Sequence, residues 1–462
     1  MNQPRGQWSS RLGFIIAAAG SAIGLGNLWK FPYITFENHG GAFVLVYLVC
    51  VLMVGLPIMI GELLLGRKSQ LNAAGAFAHT IGPKWVHAGR LGVLTGLIIL
   101  GYYTVIAGWS LYYVAKCLTW SFAGYTPGLS SPEAFGAFVS NGPLQFTLSM
   151  LFMGATVAVI MKGVGHGIEK LTRTLMPILI GILLLMLFNA LRMTGAGEAL
   201  RFIFIPNFAE LEASSILEAL GHAFFTLSLG MGAMITYGSY LRREDSVVYS
   251  ALAVVALDTI IALLATVIMF CVIFSVPGLK ESIGKSTVGM LFITLPEQFY
   301  TALPMGRVLA PLFYILVGFA ALTSTISMLE VIVSWLIDER GMTRRNATLA
   351  GGASAVTISI FCAMSLGAVG GLSSFEIFPG KAGVLDTLDH LASNWLLPIG
   401  GFLLTIAVGW FMSREDTYGE LIDQYTPNWF HYGMWRFFMR VVAPIAVGSI
   451  IGFVIFAGTD FS

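Results

Sequence analysis

The chain has 462 residues, of which 56% are aliphatic, aromatic or Cys, 53 are Gly and only 11% are charged; soluble domains carry roughly 25% charge. So little charge cannot cover the surface of a soluble protein, which excludes a disordered chain, a nucleic-acid module and an ordinary cytosolic enzyme. Lys and Arg (25) nearly balance Asp and Glu (24), leaving a net charge of +1. No acidic partner is implied, and the composition is that of an all-α, polytopic membrane protein.

A bilayer core needs about 20 apolar residues per helix. Eleven stretches qualify: 12–36, 41–66, 88–120, 144–161, 168–190, 214–241, 247–274, 306–338, 344–366, 390–412 and 436–459. Arg5 and Arg11 ahead of Leu12–Gly20 imitate a signal peptide, but the apolar run continues to Phe36, as a first span would. Between the seventh and eighth stretches, Pro277, Gly278, Gly284, Pro296 and Pro304 mark a structured loop with short helices, too broken to span. Cys50, Cys117, Cys271 and Cys362 lie in or beside apolar runs without C-x-x-C spacing, so neither disulfides nor zinc is argued. With the N-terminus inside, 17 of the 25 Lys and Arg fall on the cytoplasmic side and loop 121–143 has none, as positive-inside placement requires. Eleven spans then leave Asp460 and the C-terminus outside.

The first and sixth stretches are unusual. One carries Gly20-Ser21-Ala22-Ile23-Gly24-Leu25-Gly26-Asn27, the other Thr226-Leu227-Ser228-Leu229-Gly230-Met231-Gly232. Gly costs a helix interior about 1 kcal/mol relative to Ala. A single such helix reads equally well as a small-residue packing seam. Two, at matching places in two five-helix halves (12–190 and 214–412, with 436–459 added), point to a 5+5 inverted repeat with discontinuous helices 1 and 6. Unwinding at the bilayer midplane frees carbonyls that suit a hard cation such as Na⁺, and a half-helix N-terminus that suits a carboxylate. Asn27, Thr226, Ser228, Thr323 and Ser324 add side-chain oxygens near the breaks.

Trp8, Arg11-Leu12-Gly13, Ala22-Ile23-Gly24-Leu25-Gly26-Asn27, Phe31-Pro32, Glu37-Asn38, Gly61-Glu62, Phe224-Phe225-Thr226-Leu227-Ser228-Leu229-Gly230 and Leu322-Thr323-Ser324 resemble the neurotransmitter:sodium symporters, most closely their bacterial amino-acid branch. The resemblance covers nearly the whole chain and matches a bacterial variant with eleven helices rather than twelve. It implies Na⁺-coupled symport by alternating access, in a bacterial cytoplasmic membrane with the N-terminus inside.

By that resemblance, a first Na⁺ site uses Ala22, Asn27, Thr226, Asp258 and the substrate carboxylate. One bacterial relative carries Asn where this chain has Asp258, and an intramembrane Asp is a functional hypothesis by default; its alternative is a protonated or Thr-bonded structural acid. A second site takes Gly20, Ile23, Ala320, Thr323 and Ser324, bridging spans one and eight. Relatives balance charge near the first site with chloride or a glutamate; the glutamate position is Ala262 here, so Asp258 is expected to supply the charge and make transport chloride-independent. Tyr47 and His222 stand at the chloride-site positions, His222 departing from the usual Gln. Leu25, Gly26 and Tyr103 would hold the substrate carboxylate, and Ala22, Phe225, Thr226 and the Ser228 region its ammonium. Walls of Ile99, Tyr103, Phe225, Met231, Ser324 and Met328 offer no acid or base. Two flexible Met would let the pocket repack around several apolar side chains, so the expected partners are hydrophobic L-amino acids, aromatic ones included, and membrane lipid.

Gates follow from the same resemblance. Lys30, where the family keeps Arg, would pair with Asp389 above Tyr103 and Phe225, a looser lock because Lys lacks the bidentate fork; snorkelling to the interface is the plainer role. On the inner side Arg5 would pair with Asp338 and Trp8 would plug the pathway, with Ser239, Tyr240 and Glu330 nearby. Glu62 is expected to accept hydrogen bonds from the unwound sixth span, and Gly167 with Pro177 to let span five unwind. Ile283-Gly284-Lys285-Ser286-Thr287 looks like the end of a phosphate loop, but such a loop needs Gly at 279, which is Leu. No nucleophile or metal-ligand motif appears, so no enzyme is expected. The competing functions are transport of small amines or osmolytes and a sensor that binds without transporting; a channel would need a continuous polar lining that is not seen.

Overall fold

A computed structural model describes residues 6–277, 279–282, 289–422 and 424–457. Among them there is no strand, and nine helices are long and apolar enough to cross a membrane. A tenth crossing is the pair Arg11–Ala22 and Gly26–Glu37, bent by 55° at its break. Eleven spans is consistent with this count. The sixth expected span falls short of the length test because it is two short helices, Ala213–Thr226 and Ala233–Gly238, separated by six non-helical residues. Spans are numbered below in the order given by the sequence.

Span 3 is the longest crossing, Pro83–Ala123, and runs past both expected ends (88 and 120). Polar and aromatic residues at its termini still form helix once outside the hydrocarbon, so hydropathy underestimates its length. Spans 3 and 8 (Gly306–Arg340) pack along each other, and spans 4 (Gly142–Ile160) and 9 (Arg344–Met364) pack on both. This forms a scaffold. Spans 1, 2 (Gly41–Ser69), 6 and 7 (Val247–Ser275) form a second group, with the broken helices facing span 8. Spans 5 (Val164–Ala190), 10 (Val384–Phe411) and 11 (Tyr432–Phe456) complete the described fold.

Several spans contain π-helical turns, among them Gly26–Lys30 just past the first break and Val164–Glu169 at the start of span 5. Such turns concentrate where a helix is locally rewound for function. Loops between spans carry short helices. Ser131–Val139 is entered by a capping box of Ser130 and Glu133, while Leu279–Ser282 and Leu295–Thr301 lie in the broken region between spans 7 and 8. The phosphate-loop-like residues Ile283 to Thr287, and Asp460, lie outside the described residues. The four cysteines are free and buried.

Candidate ion and substrate site

The first break begins at Ile23, whose backbone turns extended (φ −70°, ψ 95°) after donating to the Ala19 carbonyl. Side chains of the scaffold press on the break. A methyl on Gly24 would sit 2.8 Å from Ser324 Oγ and 3.1 Å from the Tyr103 hydroxyl, so only Gly lets the unwound strand approach. The second break holds Ser228, Gly230 and Gly232 at φ of +55°, +84° and +77°. Ser228 is the costly member, since a left-handed residue with a Cβ costs about 1–2 kcal/mol. Its hydroxyl donates to the Ser21 carbonyl (3.1 Å), tying one break to the other. Glu62 Oε1 accepts from the Gly230 N–H at 2.7 Å. The freed peptide groups are therefore partly satisfied inside the protein, as hydrocarbon demands.

Between the breaks lies a cavity with about 420 Å³ of empty space. All eleven residues named from the sequence as substrate-binding line it: Ala22, Leu25, Gly26, Ile99, Tyr103, Phe225, Thr226, Ser228, Met231, Ser324 and Met328. Within this lining the Leu25 N–H donates to the Tyr103 hydroxyl at 3.2 Å. The lining also carries apolar side chains, Ile99, Phe225, Met231 and Met328, with the Phe225 ring against Gly26 of the break.

Asp258, fully buried on span 7, is the centre of the first oxygen cluster. Its carboxylate accepts from Asn27 Nδ2 at 2.7 Å and from Thr226 Oγ1 at 3.1 and 3.2 Å. Asn27 Oδ1 meanwhile accepts from the Gly24 N–H at 2.9 Å. Three spans thus converge on one buried charge, which must be paired or neutralised. A second oxygen cluster joins spans 1 and 8. Ser324 Oγ donates to the Ser21 and Ala320 carbonyls, both at 3.2 Å, and Thr323 Oγ1 to the Ala320 carbonyl at 3.0 Å. A methyl on Gly20 would lie 3.3 Å from Thr323 Cβ. Both clusters gather carboxylate, amide, hydroxyl or carbonyl oxygens, the ligand type of a hard cation.

His222 lies beside the first cluster, stacked on Phe31 at 5.3 Å and 5.7 Å from the Tyr47 ring. Neither ring nitrogen, nor the Tyr47 hydroxyl, has a hydrogen-bond partner among the described residues.

On the side of Trp8, aromatic side chains cover the site. Trp8 is 1% exposed, donates through Nε1 to the Tyr237 carbonyl (3.1 Å), and meets the rings of Phe14, Tyr237 and Tyr240 edge-on. Beneath it Tyr240 donates to Glu330 at 2.7 Å, and Glu330 pairs with Arg344 at 2.6 Å. Arg5 lies outside the described residues. Asp338 accepts from the backbone and side chain of Asn72, at 2.8 and 3.1 Å. On the opposite side the Lys30 ammonium sits 5.0 Å over the Phe225 ring, and Asp389 accepts from Ser393 at 3.1 Å. The structure does not bring Lys30 and Asp389 into a salt bridge; the ammonium lies over an aromatic face. Pro177 stands inside the helix Lys170–Ala190, and Gly167 in the π-helical start of the same span lies 2.2 Å, measured from the methyl it lacks, from the Val159 carbonyl.

Four further cavity residues were not anticipated: Ser21, Gly24, Ser327 and Leu397. Ser21 is recoverable from the broken motif itself, but its carbonyl as the joint acceptor of two distant hydroxyls is not. Charge placement along the sequence does not single out Arg344. The signal that it pairs was Glu330, an acid in an apolar span that cannot stand alone.

Comparison with known proteins agrees with this geometry. A family model described as the sodium:neurotransmitter symporter family matches residues 5–128 and 133–459. A sodium-dependent transporter of Bacillus subtilis (strain 168) is 35% identical over 443 residues, 96% of each chain. The sodium-dependent dopamine transporter of Bos taurus is 26% identical over 495 residues, covering 96% of this chain and 68% of its own. Among solved structures, that of MhsT in complex with L-phenylalanine superposes with a TM-score of 0.86 at 37% identity, covering 96% of this chain and 99% of that one.

Proposed function

The chain belongs to the sodium:neurotransmitter symporter family, and on that footing we propose that it imports hydrophobic L-amino acids with Na⁺ by alternating access. It is a sodium-dependent, multi-pass membrane transporter and not an enzyme. One observation supports the finer reading: a single cavity between the two breaks is lined both by the unwound backbone with Tyr103 and by the apolar side chains of Ile99, Phe225, Met231 and Met328. A zwitterion with an apolar side chain satisfies both, whereas a charged side chain would meet a wall without a counter-charge. L-Phenylalanine in the similar MhsT fits the same description.

Two Na⁺ are carried. The first sits with Ala22, Asn27, Thr226 and Asp258, where the substrate carboxylate completes its shell and couples ion to solute. The second sits with Gly20, Ile23, Ala320, Thr323 and Ser324, so its presence reports on movement of spans 1, 2, 6 and 7 against the scaffold. Residues 12–190 and 214–412 act as two opposed halves, with 436–459 an added helix. The N-terminus is cytoplasmic, the C-terminus external and the membrane a bacterial inner one. Trp8 and Tyr240 close the cytoplasmic path, with Arg5 and Asp338 at its mouth; Lys30 over Phe225, below Asp389, covers the external one. Asp258 supplies the fixed negative charge, so replacing chloride by gluconate leaves uptake unchanged.

The test is uptake into proteoliposomes with twenty amino acids as competitors and Na⁺ replaced by K⁺ in parallel. Leucine, phenylalanine and tryptophan should compete, and K⁺ should abolish uptake. Competition by choline or GABA without competition by leucine or tryptophan would overturn the substrate reading. Tight binding without accumulation would make the protein a sensor.

A further inference from the structure

A second cavity, with about 600 Å³ of empty space, lies away from the substrate site between spans 5, 7 and 8 and the loop helix Leu295–Thr301. Its walls include Met186, Ala265, Met269, Phe299, Phe313 and the buried Leu28, the neighbour of Asn27. Asn189 is the polar side chain in the lining, and it donates to its own Leu185 carbonyl at 2.8 Å. Water needs two to four polar partners to occupy such a space. These walls provide a single side-chain amide, too few for hydration to fill it.

The mouth lies at the ends of spans 5 and 8 remote from Trp8, near Met193, Leu303 and Pro304. Around it Leu184, Phe188, Met305 and Val308 are each half or more exposed, so the surface beside the mouth is one that faces hydrocarbon. Two cations flank it. Arg192 precedes the lining Met193, with its guanidinium 4.7 Å over the Phe188 ring, and Arg307 precedes the lining Leu309 by two residues.

We propose that this cavity is a lipid site: one acyl chain of an anionic phospholipid enters it, and the phosphate is held by Arg192 and Arg307 at the rim. Hydrocarbon is the solvent at the mouth and the walls suit it; two guanidinium groups next to lining residues choose an anionic headgroup. Because the chain end would rest on Leu28, occupancy also braces the half of span 1 that carries Asn27. The three Met in the lining adapt to a flexible chain.

The full-length protein in nanodiscs of mixed phosphatidylglycerol and phosphatidylcholine, carrying a phosphatidylglycerol with a photoreactive group at the acyl terminus, tests this. Crosslinks mapped by mass spectrometry should fall on Met186, Met269 and Leu28. Ala265→Phe should remove them, and Arg192→Gln with Arg307→Gln should cut the preference for the phosphatidylglycerol probe over its phosphatidylcholine counterpart by about fivefold per charge. If Ala265→Phe fails to fold, the Arg variants and crosslink positions still decide. Labelling confined to outward-facing residues such as Leu184 and Leu185, or equal capture of both headgroups by the unaltered protein, would overturn the proposal.

Discussion

Asp258→Asn tests the role of the buried acid most directly. The wild-type carboxylate is fully buried and holds Asn27 Nδ2 at 2.7 Å and Thr226 Oγ1 at 3.1 Å. The amide keeps one oxygen for a cation but removes the unit charge. Opposite unit charges about 4 Å apart gain about 4 kcal/mol at an effective dielectric near 20. The retained oxygen, and re-pairing of Asn27 and Thr226 with the new amide, return part of this. A net loss of about 2 kcal/mol raises the Na⁺ concentration for half-maximal uptake about 30-fold. Proteoliposome uptake against Na⁺ concentration measures it, with thermal unfolding of the purified variant to confirm that it folds. A folded variant whose half-saturating Na⁺ stays within about twofold of wild type would show that the carboxylate is structural and that the charge argument fails.

Gly230→Ala forces a Cβ onto a residue at φ +84° and places it 2.5 Å from the Leu397 carbonyl. The expected destabilisation is about 3 kcal/mol, read as a lowered Tm, whereas Gly128→Ala, at φ +70° with open space around it, should cost about 1 kcal/mol. Glu330→Gln breaks the buried pair with Arg344, which loosens inner closure by about 3 kcal/mol; a Cys placed at Ser327, in the cavity, should then react faster with a thiol reagent added from the Trp8 side, and unchanged labelling would count against a gate there. Outside the membrane, Asp416 is held below the usual carboxylate range by its hydrogen bond to Lys68 at 2.7 Å. Its contribution is therefore complete above the unfolded value of about 4 and is lost as pH falls through the depressed folded value. Lys68→Ala should flatten stability against pH in that acid window and leave it unchanged in shape at neutral pH, measured by thermal unfolding across a pH series.

Local patterns in the chain carry the class of the fold and name most of the residues that line the cavity. Hydropathy over about 20 residues marks each span, and Gly20-x-x-x-Gly24-x-Gly26 and Gly230-x-Gly232 mark the breaks, because a helix reports its own interruption locally. Tertiary structure decided which partners the freed groups take. Asp258 meets Asn27 across 231 positions, Ser324 reaches the Ser21 carbonyl across 303, and Glu62 caps Gly230 across 168. No local pattern encodes such pairings, since they depend on how the spans pack. The same holds for Lys30, whose choice between the Phe225 ring and Asp389 turns on a few ångströms of helix placement. Local chemistry names the groups that must be satisfied in hydrocarbon; only the assembled bundle selects what satisfies them.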